Sequence, residues 1–255
     1  MSANAPELSV VVPMHNEGPN VIPLADAVFR AFEREAASIE LILVDDGSTD
    51  DTWERIREAW RGHPGLRGIR HDRSAGQSAA LWTGLKASRG EILATLDGDL
   101  QNDPADLPLL FRQLQGCDMV CGVRQRRADN FKRRASSLIA RLARKLMLGV
   151  DFADSGCNLR VFKRTVIETL PAFDGIHRFM PILAHNGGAR VKEFPVRHHP
   201  RIHGRSKYGV WNRLGRGISD LVMVRLFLKR QIGRPTPGSQ AALDPVRVAE
   251  QLAPN

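Results

Sequence analysis

Five short apolar runs alternate with helical stretches in the first half of this 255-residue chain, and this alternation most limits its fold. Strands that alternate with helices of this length form a mostly parallel sheet with helices on both faces. The predicted fold class is therefore α/β. The predicted strands cover residues 8–13, 39–46, 66–72, 91–97 and 118–124. The first predicted helix covers residues 21–37, the second is capped by Thr49, and the third begins at Ser74 and ends at Gly90.

Polar residues follow four of these apolar runs directly. The segments are PMHNE at 13–17, VDDGSTD at 44–50, DGD at 97–99 and GVR at 122–124. Ligands of open parallel sheets bind beyond the carboxyl ends of the strands. We therefore expect a ligand site where these four segments meet at one edge of the sheet.

The stretch LATLDGDLQNDP, residues 93–104, places Asp97 and Asp99 on either side of Gly98. One interpretation is a turn, because Asp and Gly both favour turns for local backbone reasons. The other is a site for Mg²⁺ or Mn²⁺, in which carboxylates share the ion with substrate phosphates. The expected convergence of polar segments from the ends of four strands favours the ion site, since turns alone do not predict it.

Positive charge is concentrated in the second half of the chain. The formal net charge is +9, yet residues 122–150 hold nine Lys or Arg against one acid, and residues 190–234 hold twelve against two. Two basic segments, residues 130–150 and 210–230, show apolar residues at helical spacing. They are either helices with a solvated face or helices that lie in a membrane interface on anionic headgroups, and the presence of two favours the membrane.

Several classes of protein are disfavoured by the composition. The N-terminus lacks the basic region of a signal peptide, and no window reaches the roughly 18 apolar residues of a spanning helix. Cys117, Cys121 and Cys157 lack zinc spacing and are predicted to be core thiols in a reducing cytosol. A nucleic-acid-binding module is a poor fit, because the chain has one Tyr and shows no helix-turn-helix or zinc signature.

Three motifs together resemble the family-two glycosyltransferases with a GT-A fold. PMHNE stands where the family has P-x-[YH]-N-E, VDDGSTDDT matches V-D-D-x-S-x-D, and LDGDLQNDP matches the metal motif D-x-D-L-Q-x-x-P. The segment HHPRIHGRSKYG at 198–209 is similar to the R-x-x-G-x-S-K-Y loop of the polyprenyl-phosphate branch, which includes dolichol-phosphate mannose synthases and undecaprenyl-phosphate sugar transferases. ADSGCNLRVFKR at 153–164 resembles a D-x-x-S-G-F-R segment, in which Arg160 is the matching arginine.

The resemblance implies a donor site and a metal site. A nucleotide diphosphate sugar, with UDP or GDP, would bind with a divalent Mg²⁺ or Mn²⁺ held by Asp99 and the side-chain oxygen of Gln101. Gly98 would let the backbone approach the ligand closely. The residues implied for the nucleotide sugar are Pro13, His15, Glu17, Val44, Asp46, Asp97, Gly98, Asp99 and Gln101.

The resemblance also implies a polyprenyl phosphate acceptor, undecaprenyl or dolichyl. Such an acceptor is already an anion, so it can attack the sugar without a general base, in one inverting displacement. The site needs cations instead, and Arg recognises phosphate oxygens with two donors at once. Arg124, Arg134, Arg201 and Lys207 are the residues assigned to the acceptor phosphate, and Asp99, Arg124, Arg201 and Lys207 are the catalytic candidates.

Two other functions stay open at this stage. A family-two transferase that glycosylates a saccharide or protein hydroxyl would need a general base, for which Asp151, Asp154 and Asp174 are available. A non-enzymatic basic module is the second, although it gives no purpose to carboxylates clustered at strand ends.

The chain is predicted to divide into a catalytic domain at 1–208, an amphipathic interface helix at 209–232 and a poorly ordered tail at 233–255. Many members of the polyprenyl-phosphate branch carry two spanning helices beyond the interface segment, whereas a Pro-rich tail follows that segment here. We therefore expect a protein peripheral on the cytoplasmic face of the membrane, held at an anionic surface by its amphipathic helices, or by a membrane-protein partner or a homo-oligomer.

Overall fold

The computed structural model describes residues 5–125, 141–142, 144–200 and 210–230. Its strands form one seven-stranded sheet in the order β3-β2-β1-β4-β6-β5-β7. The strands are β1 Leu8–Met14, β2 Ile39–Asp45, β3 Leu66–Arg70, β4 Ile92–Thr95, β5 Met119–Arg124, β6 Arg160–Lys163 and β7 Val191–Val196. The helices are α1 Gly18–Phe32, α2 Thr52–Gly62, α3 Gln77–Ala87, α4 Leu107–Arg112, α5 Arg164–Ile167, α6 Ile176–Asn186 and α7 Val210–Lys229, and a short 3-10 turn covers Pro104–Asp106.

The mostly parallel sheet is confirmed, with one reversed strand. β1 runs parallel to β2 and to β4, and β2 runs parallel to β3. β6 is antiparallel to both β4 and β5, whereas β7 is parallel to β5 at the edge of the sheet. β6 and β7 were not predicted: β6 has only four residues, and β7 carries Pro195, which is tolerated because an edge strand has no second neighbour to bond.

This topology brings more of the chain to one edge than the sequence indicated. The carboxyl ends of β1, β2, β4, β5 and β7 lie at the same edge of the sheet. Because β6 runs the other way, its amino end lies at that edge too. The loops at 153–159 and 197–200 therefore join the four predicted segments.

Two predicted helix starts are wrong. α2 begins after Asp51, not after Thr49, and the Asp50 carboxylate accepts the backbone N–H of Thr52 at 3.0 Å. α3 begins after Gly76, not after Ser74, whose hydroxyl is used elsewhere. α1 runs from Gly18 to Phe32 rather than from 21 to 37, with a proline in its first turn.

The core lies on both faces of the sheet, as expected for this class. Alternate residues of the central strands face opposite ways, so Val10 and Val12 contact the α1 side and Val11 contacts the α3 side. All three cysteines are buried and free, which confirms the prediction of core thiols.

The C-terminal helix has apolar residues both toward and away from the core. Leu221 and Val224 of α7 are buried, and Asp220 pairs with Arg178 of α6 at 3.1 Å. The residues of α7 that stay exposed include Val222, Met223, Leu226 and Phe227, and Leu142 and Leu146 are exposed on the helical stretch before residue 149. Among the described helices, none is both long and apolar enough to cross a membrane.

Candidate active site

The loop that follows β4 brings two carboxylates together. Asp99 is buried and accepts the backbone N–H of Gln101 at 3.1 Å. Leu100, between Asp99 and Gln101, has a positive φ of 57°, and this turn of the backbone brings the Gln101 N–H to the Asp99 carboxylate. Asp97 accepts hydrogen bonds from the side-chain amides of Gln77 at 2.9 Å and Asn158 at 2.8 Å.

The electrostatics of this loop favour a bound cation. Loss of hydration raises the pKa of Asp97, the Asn158 hydrogen bond opposes that rise, and the nearby charge of Asp99 adds to it. A divalent ion would relieve the repulsion between the Asp97 and Asp99 carboxylates. No group of three or more His, Cys, Asp or Glu in the described ranges could hold a metal alone. The donor set fits an ion shared with a diphosphate, since Mg²⁺ usually takes one or two carboxylates plus substrate phosphates.

Gly98 has a packing reason that the sequence did not indicate. A Cβ at this position would lie 2.4 Å from Sδ of Met14 at the end of β1 and 3.2 Å from the carbonyl oxygen of Pro13. A larger residue would push the acidic loop away from β1. Gly98 therefore sets the distance between the β4 loop and the β1 loop.

The segments after β1 and β2 are joined by a network of hydrogen bonds. Nδ1 of His15 lies 2.8 Å from the carbonyl oxygen of Asp46, and the Asn16 N–H donates to Ser48 Oγ at 2.9 Å. The Glu17 N–H donates to Thr52 Oγ1 at 2.9 Å, which joins PMHNE to α2. These bonds bring the predicted nucleotide residues of both segments to one place.

Val44 and Pro13 lie opposite each other in adjacent strands but differ in exposure. Val44 is fully buried in the core on the α3 side, so its side chain faces away from solvent. Pro13 is only partly buried. If Val44 contacts the nucleotide, as predicted, the contact would have to come from its backbone atoms.

Asp46 holds a loop in place. Its buried carboxylate accepts the N–H groups of Ala75 at 2.9 Å and Gly76 at 2.8 Å, the hydroxyl of Ser74 at 2.8 Å, and a contact from His71 Nδ1 at 2.8 Å. Burial alone would raise the pKa of Asp46, but these bonds together lower it. Four partners occupy both oxygens, so Asp46 fixes the loop before α3 at the edge of the site.

Arg124 at the end of β5 forms a two-pronged ion pair. Nε and Nη2 of Arg124 donate to the two oxygens of Asp154 at 2.7 and 2.9 Å. The bond to Asp154 raises the pKa of Arg124 further above its usual value, although burial opposes this. Asp154 reaches the site because it precedes the reversed strand β6, and its pairing with a guanidinium makes it a weak proton acceptor.

Asp151, the second acid considered as a base, is also poorly suited. Hydrogen bonds from Arg141 and Lys145 lower the pKa of Asp151 to about 2, so this carboxylate has little affinity for a proton. Asp174 is exposed just before α6. Arg134, Arg201 and Lys207 lie outside the described residues, and their predicted roles stay predictions.

Sequence reasoning missed the residues that come from β6 and β7. Asn158 holds Asp97, and Arg197 forms ion pairs with Asp103 at 3.0 Å and Asp106 at 2.7 Å beside the metal motif. Arg160 was noted only through resemblance; its side chain is fully buried. No local signal marked these residues, because the register of two short strands decides where they lie.

The chain is similar in sequence to known glycosyltransferases. The profile of a family described as Glycosyl transferase family 2 matches residues 9–170. A dodecaprenyl-phosphate galacturonate synthase of Rhizobium johnstonii is 39% identical over 230 residues, which cover 88% of this chain and 68% of that protein. An undecaprenyl-phosphate 4-deoxy-4-formamido-L-arabinose transferase of Aeromonas hydrophila is 38% identical over 206 residues, which cover 80% of this chain and 63% of that protein. The chain thus spans about two thirds of the length of these relatives.

Two solved structures share the fold. A mannosyltransferase from Pyrobaculum calidifontis in complex with GDP-Man and Mn²⁺ matches with a TM-score of 0.66 at 21% identity, over 91% of this chain and 67% of that one. Glucosyl-3-phosphoglycerate synthase from Mycobacterium tuberculosis, in complex with Mn²⁺ and UDP-glucose, matches with a TM-score of 0.67 at 20% identity, over 86% of this chain and 79% of that one. The predicted GT-A fold is confirmed.

Proposed function

The chain belongs to glycosyl transferase family 2, and we propose that it transfers a sugar from a nucleotide diphosphate sugar to a polyprenyl phosphate, with inversion at the anomeric carbon. The observation that carries this proposal is the meeting, at one edge of the sheet, of an acidic loop and an arginine from another strand. The relatives named above as polyprenyl-phosphate transferases support the choice of acceptor.

The donor would bind across the ends of β1, β2 and β4. His15, Glu17 and the loop held by Asp46 would line the nucleoside side, while Asp99 and the side chain of Gln101 would hold Mg²⁺ or Mn²⁺ beside the diphosphate. A divalent ion there supplies Lewis-acid stabilisation of the leaving diphosphate. The fold neighbours in complex with Mn²⁺ and with GDP or UDP sugars support this donor class.

The acceptor would approach from the β5 side. Arg124 carries a fixed positive charge there, with its side chain 37% exposed. An oxygen of the lipid phosphate attacks the anomeric carbon, and the bond from that carbon to the diphosphate oxygen breaks. No proton has to be removed from the nucleophile. Arg124, Arg201 and Lys207 would reduce the repulsion between the two anionic substrates.

The surface of the chain supports peripheral contact with a membrane. Exposed apolar side chains on α7 and at Leu142 and Leu146 lie on segments rich in Lys and Arg. We infer that it would bind at the cytoplasmic face, through its own helices or with a membrane partner or second copy. Sedimentation with anionic and with neutral vesicles tests this part of the proposal. Failure to bind either kind of vesicle would contradict it.

A direct assay tests the proposed reaction. Purified protein is incubated with Mg²⁺ or Mn²⁺, undecaprenyl phosphate and a panel of radiolabelled UDP and GDP sugars, which includes nucleotide-activated galacturonate and 4-formamido-arabinose. We expect a labelled product that butanol extracts. The Asp99→Ala variant should lose at least a hundredfold in rate. Glu91→Ala changes an exposed acid just before the amino end of β4, on the far edge of the sheet, and should stay within twofold of wild type.

The outcomes separate the two acceptor classes. If label passes only to water or to saccharides, the polyprenyl phosphate acceptor and the acceptor roles of Arg124, Arg201 and Lys207 are wrong. If Asp99→Ala keeps full activity, the metal site is wrong.

A further inference from the structure

The chain segment that leaves β7 is fastened to the loop that carries the metal motif. The N–H of His199 donates to the carbonyl oxygen of Gln101 at 2.7 Å, and Asn102 and His198 form an isolated antiparallel bridge. These backbone contacts lie next to Asp99 and Gln101. They show that the two segments run side by side at the edge of the sheet.

Arg197 provides the strongest part of this attachment. Its backbone N–H donates to Asp106 Oδ2 at 2.7 Å, and its Nε and Nη2 donate to Asp106 Oδ1 at 2.9 and 2.7 Å. Nη1 lies 3.0 Å from Asp103 Oδ2. Asp106 is only 3% exposed, so loss of the guanidinium would leave a buried carboxylate with one partner from Arg197 instead of three.

The loop between β4 and the 3-10 turn has little other regular structure to hold it. β4 ends at Thr95 and the turn begins at Pro104, so Asp97, Asp99 and Gln101 lie on irregular chain. One end of this loop is fixed by the sheet. The contacts of Arg197 with Asp103 and Asp106 fix the other end.

We propose that Arg197 is a positioning residue for the metal–diphosphate site: by holding Asp103 and Asp106, it keeps Asp99 and Gln101 in the arrangement that binds the ion. Preorganised ligands bind more tightly because less ordering remains to be done on binding. The inference rests on the proposed function, because it takes Asp99 and Gln101 to be the ion's protein ligands.

The same strand offers a matched control at its other end. Arg190, just before β7, donates its backbone N–H to Asp118 Oδ2 at 3.0 Å and its Nε to the same oxygen at 3.2 Å. This pair has the same residue types and the same combination of backbone and side-chain bonds. It lies at the amino ends of β5 and β7, on the far edge of the sheet from the acidic loop.

The test measures binding of Mn²⁺ by electron paramagnetic resonance, with and without UDP or GDP, on the full chain. We expect Arg197→Ala to weaken Mn²⁺ binding in the presence of the nucleotide at least tenfold and Arg190→Ala to change it less than twofold. Arg197→Lys keeps the charge but not the two-pronged geometry, so it should fall between wild type and Arg197→Ala. Equal affinities for Arg197→Ala and Arg190→Ala would overturn the proposal.

A variant cycle distinguishes positioning from direct contact. If Arg197 acts through Asp103 and Asp106, then Arg197→Ala added to a variant that carries both Asp103→Ala and Asp106→Ala should cause little further loss of Mn²⁺ affinity. A full additional loss would mean that the guanidinium touches the ligand, which would overturn the positioning role. Melting temperatures of all variants are compared with that of Arg190→Ala, so that a merely structural loss is recognised by falling stability with unchanged Mn²⁺ affinity.

The Asp99→Ala variant separates failure of this inference from failure of the proposed function. If Asp99→Ala binds Mn²⁺ as wild type does, the metal site itself is wrong. If Asp99→Ala loses binding while Arg197→Ala retains it, only the role of Arg197 is wrong.

Discussion

Replacement of Arg160 by methionine should leave the fold at least as stable as wild type, although an arginine is removed from the core. The Arg160 side chain is 0% exposed, and its Nη2 donates to the carbonyl oxygen of Ser155 at 2.9 Å. Its Nε and Nη1 have no hydrogen-bond partner among the described residues. Burial lowers the pKa of Arg160, which shows that the site disfavours the charged form.

The magnitude follows from two opposing terms. Loss of the Ser155 hydrogen bond costs about 1–3 kcal/mol, because a carbonyl oxygen loses a charged donor. Removal of a desolvated cation that lacks a full set of partners gains several kcal/mol, and apolar replacement of buried ionic groups is often neutral or stabilising by about 1–4 kcal/mol. Methionine is unbranched and flexible, so it fills irregular gaps in a core well. The expected net change is between zero and about 3 kcal/mol of added stability.

The assay is urea unfolding at pH 7, with Arg164→Met as the matched control. Arg164 follows the other end of β6 and is well partnered, since its guanidinium donates to the carbonyl oxygen of Gly90 and to Ser88 Oγ. Arg164→Met should therefore lose about 2 kcal/mol. A loss of similar size in Arg160→Met would refute the reasoning that Arg160 is under-partnered. The positive charge of Arg160 acts to lower the pKa of Asp97. Arg160→Met should therefore also weaken donor binding.

Two further predictions concern the acids. Asp46→Asn should lose about 2 kcal/mol of stability at pH 7. Because hydrogen bonds lower the pKa of Asp46 in the folded state, its contribution to stability is full above the unfolded pKa and is lost as the pH falls through the folded pKa. The free energy of unfolding of wild type should therefore fall more than that of Asp46→Asn when urea unfolding is repeated from pH 5 down to pH 3, and parallel curves would contradict this. Asp151→Asn should keep its rate with undecaprenyl phosphate within twofold, because the acceptor needs no base, and a hundredfold loss would instead indicate a hydroxyl acceptor.

The first half of the fold was predictable because each element there is long and periodic. The five predicted strands are present, and the segments that follow them do meet at one edge, since parallel strands place their carboxyl ends together. Helix starts were less predictable. Thr49 and Ser74 have good capping chemistry, but Asn16 and Asp46 bind the chain near these residues from other strands, and the helices begin later.

The second half of the site depended on contacts distant in sequence. β6 pairs with β4 across more than sixty residues of chain, and nothing local in RVFK indicates that it runs antiparallel. Once it does, Asp154, Asn158 and Arg160 arrive at the site from its amino end. The resemblance identified Arg160 by alignment of a motif, but only the three-dimensional structure shows that its guanidinium is buried.

The pairing of acids with cations on the β5 side explains why a phosphate acceptor suits this site better than a hydroxyl acceptor. A hydroxyl nucleophile needs a carboxylate whose proton affinity is raised, usually by burial without a cation nearby. Asp154 is instead held by both prongs of Arg124, and Asp151 by Arg141 and Lys145. An anionic acceptor reverses the requirement, because a phosphate can compete with Asp154 for Arg124 through the same two-pronged geometry. Arg124 is thus already oriented for a phosphate by the carboxylate that the acceptor would displace.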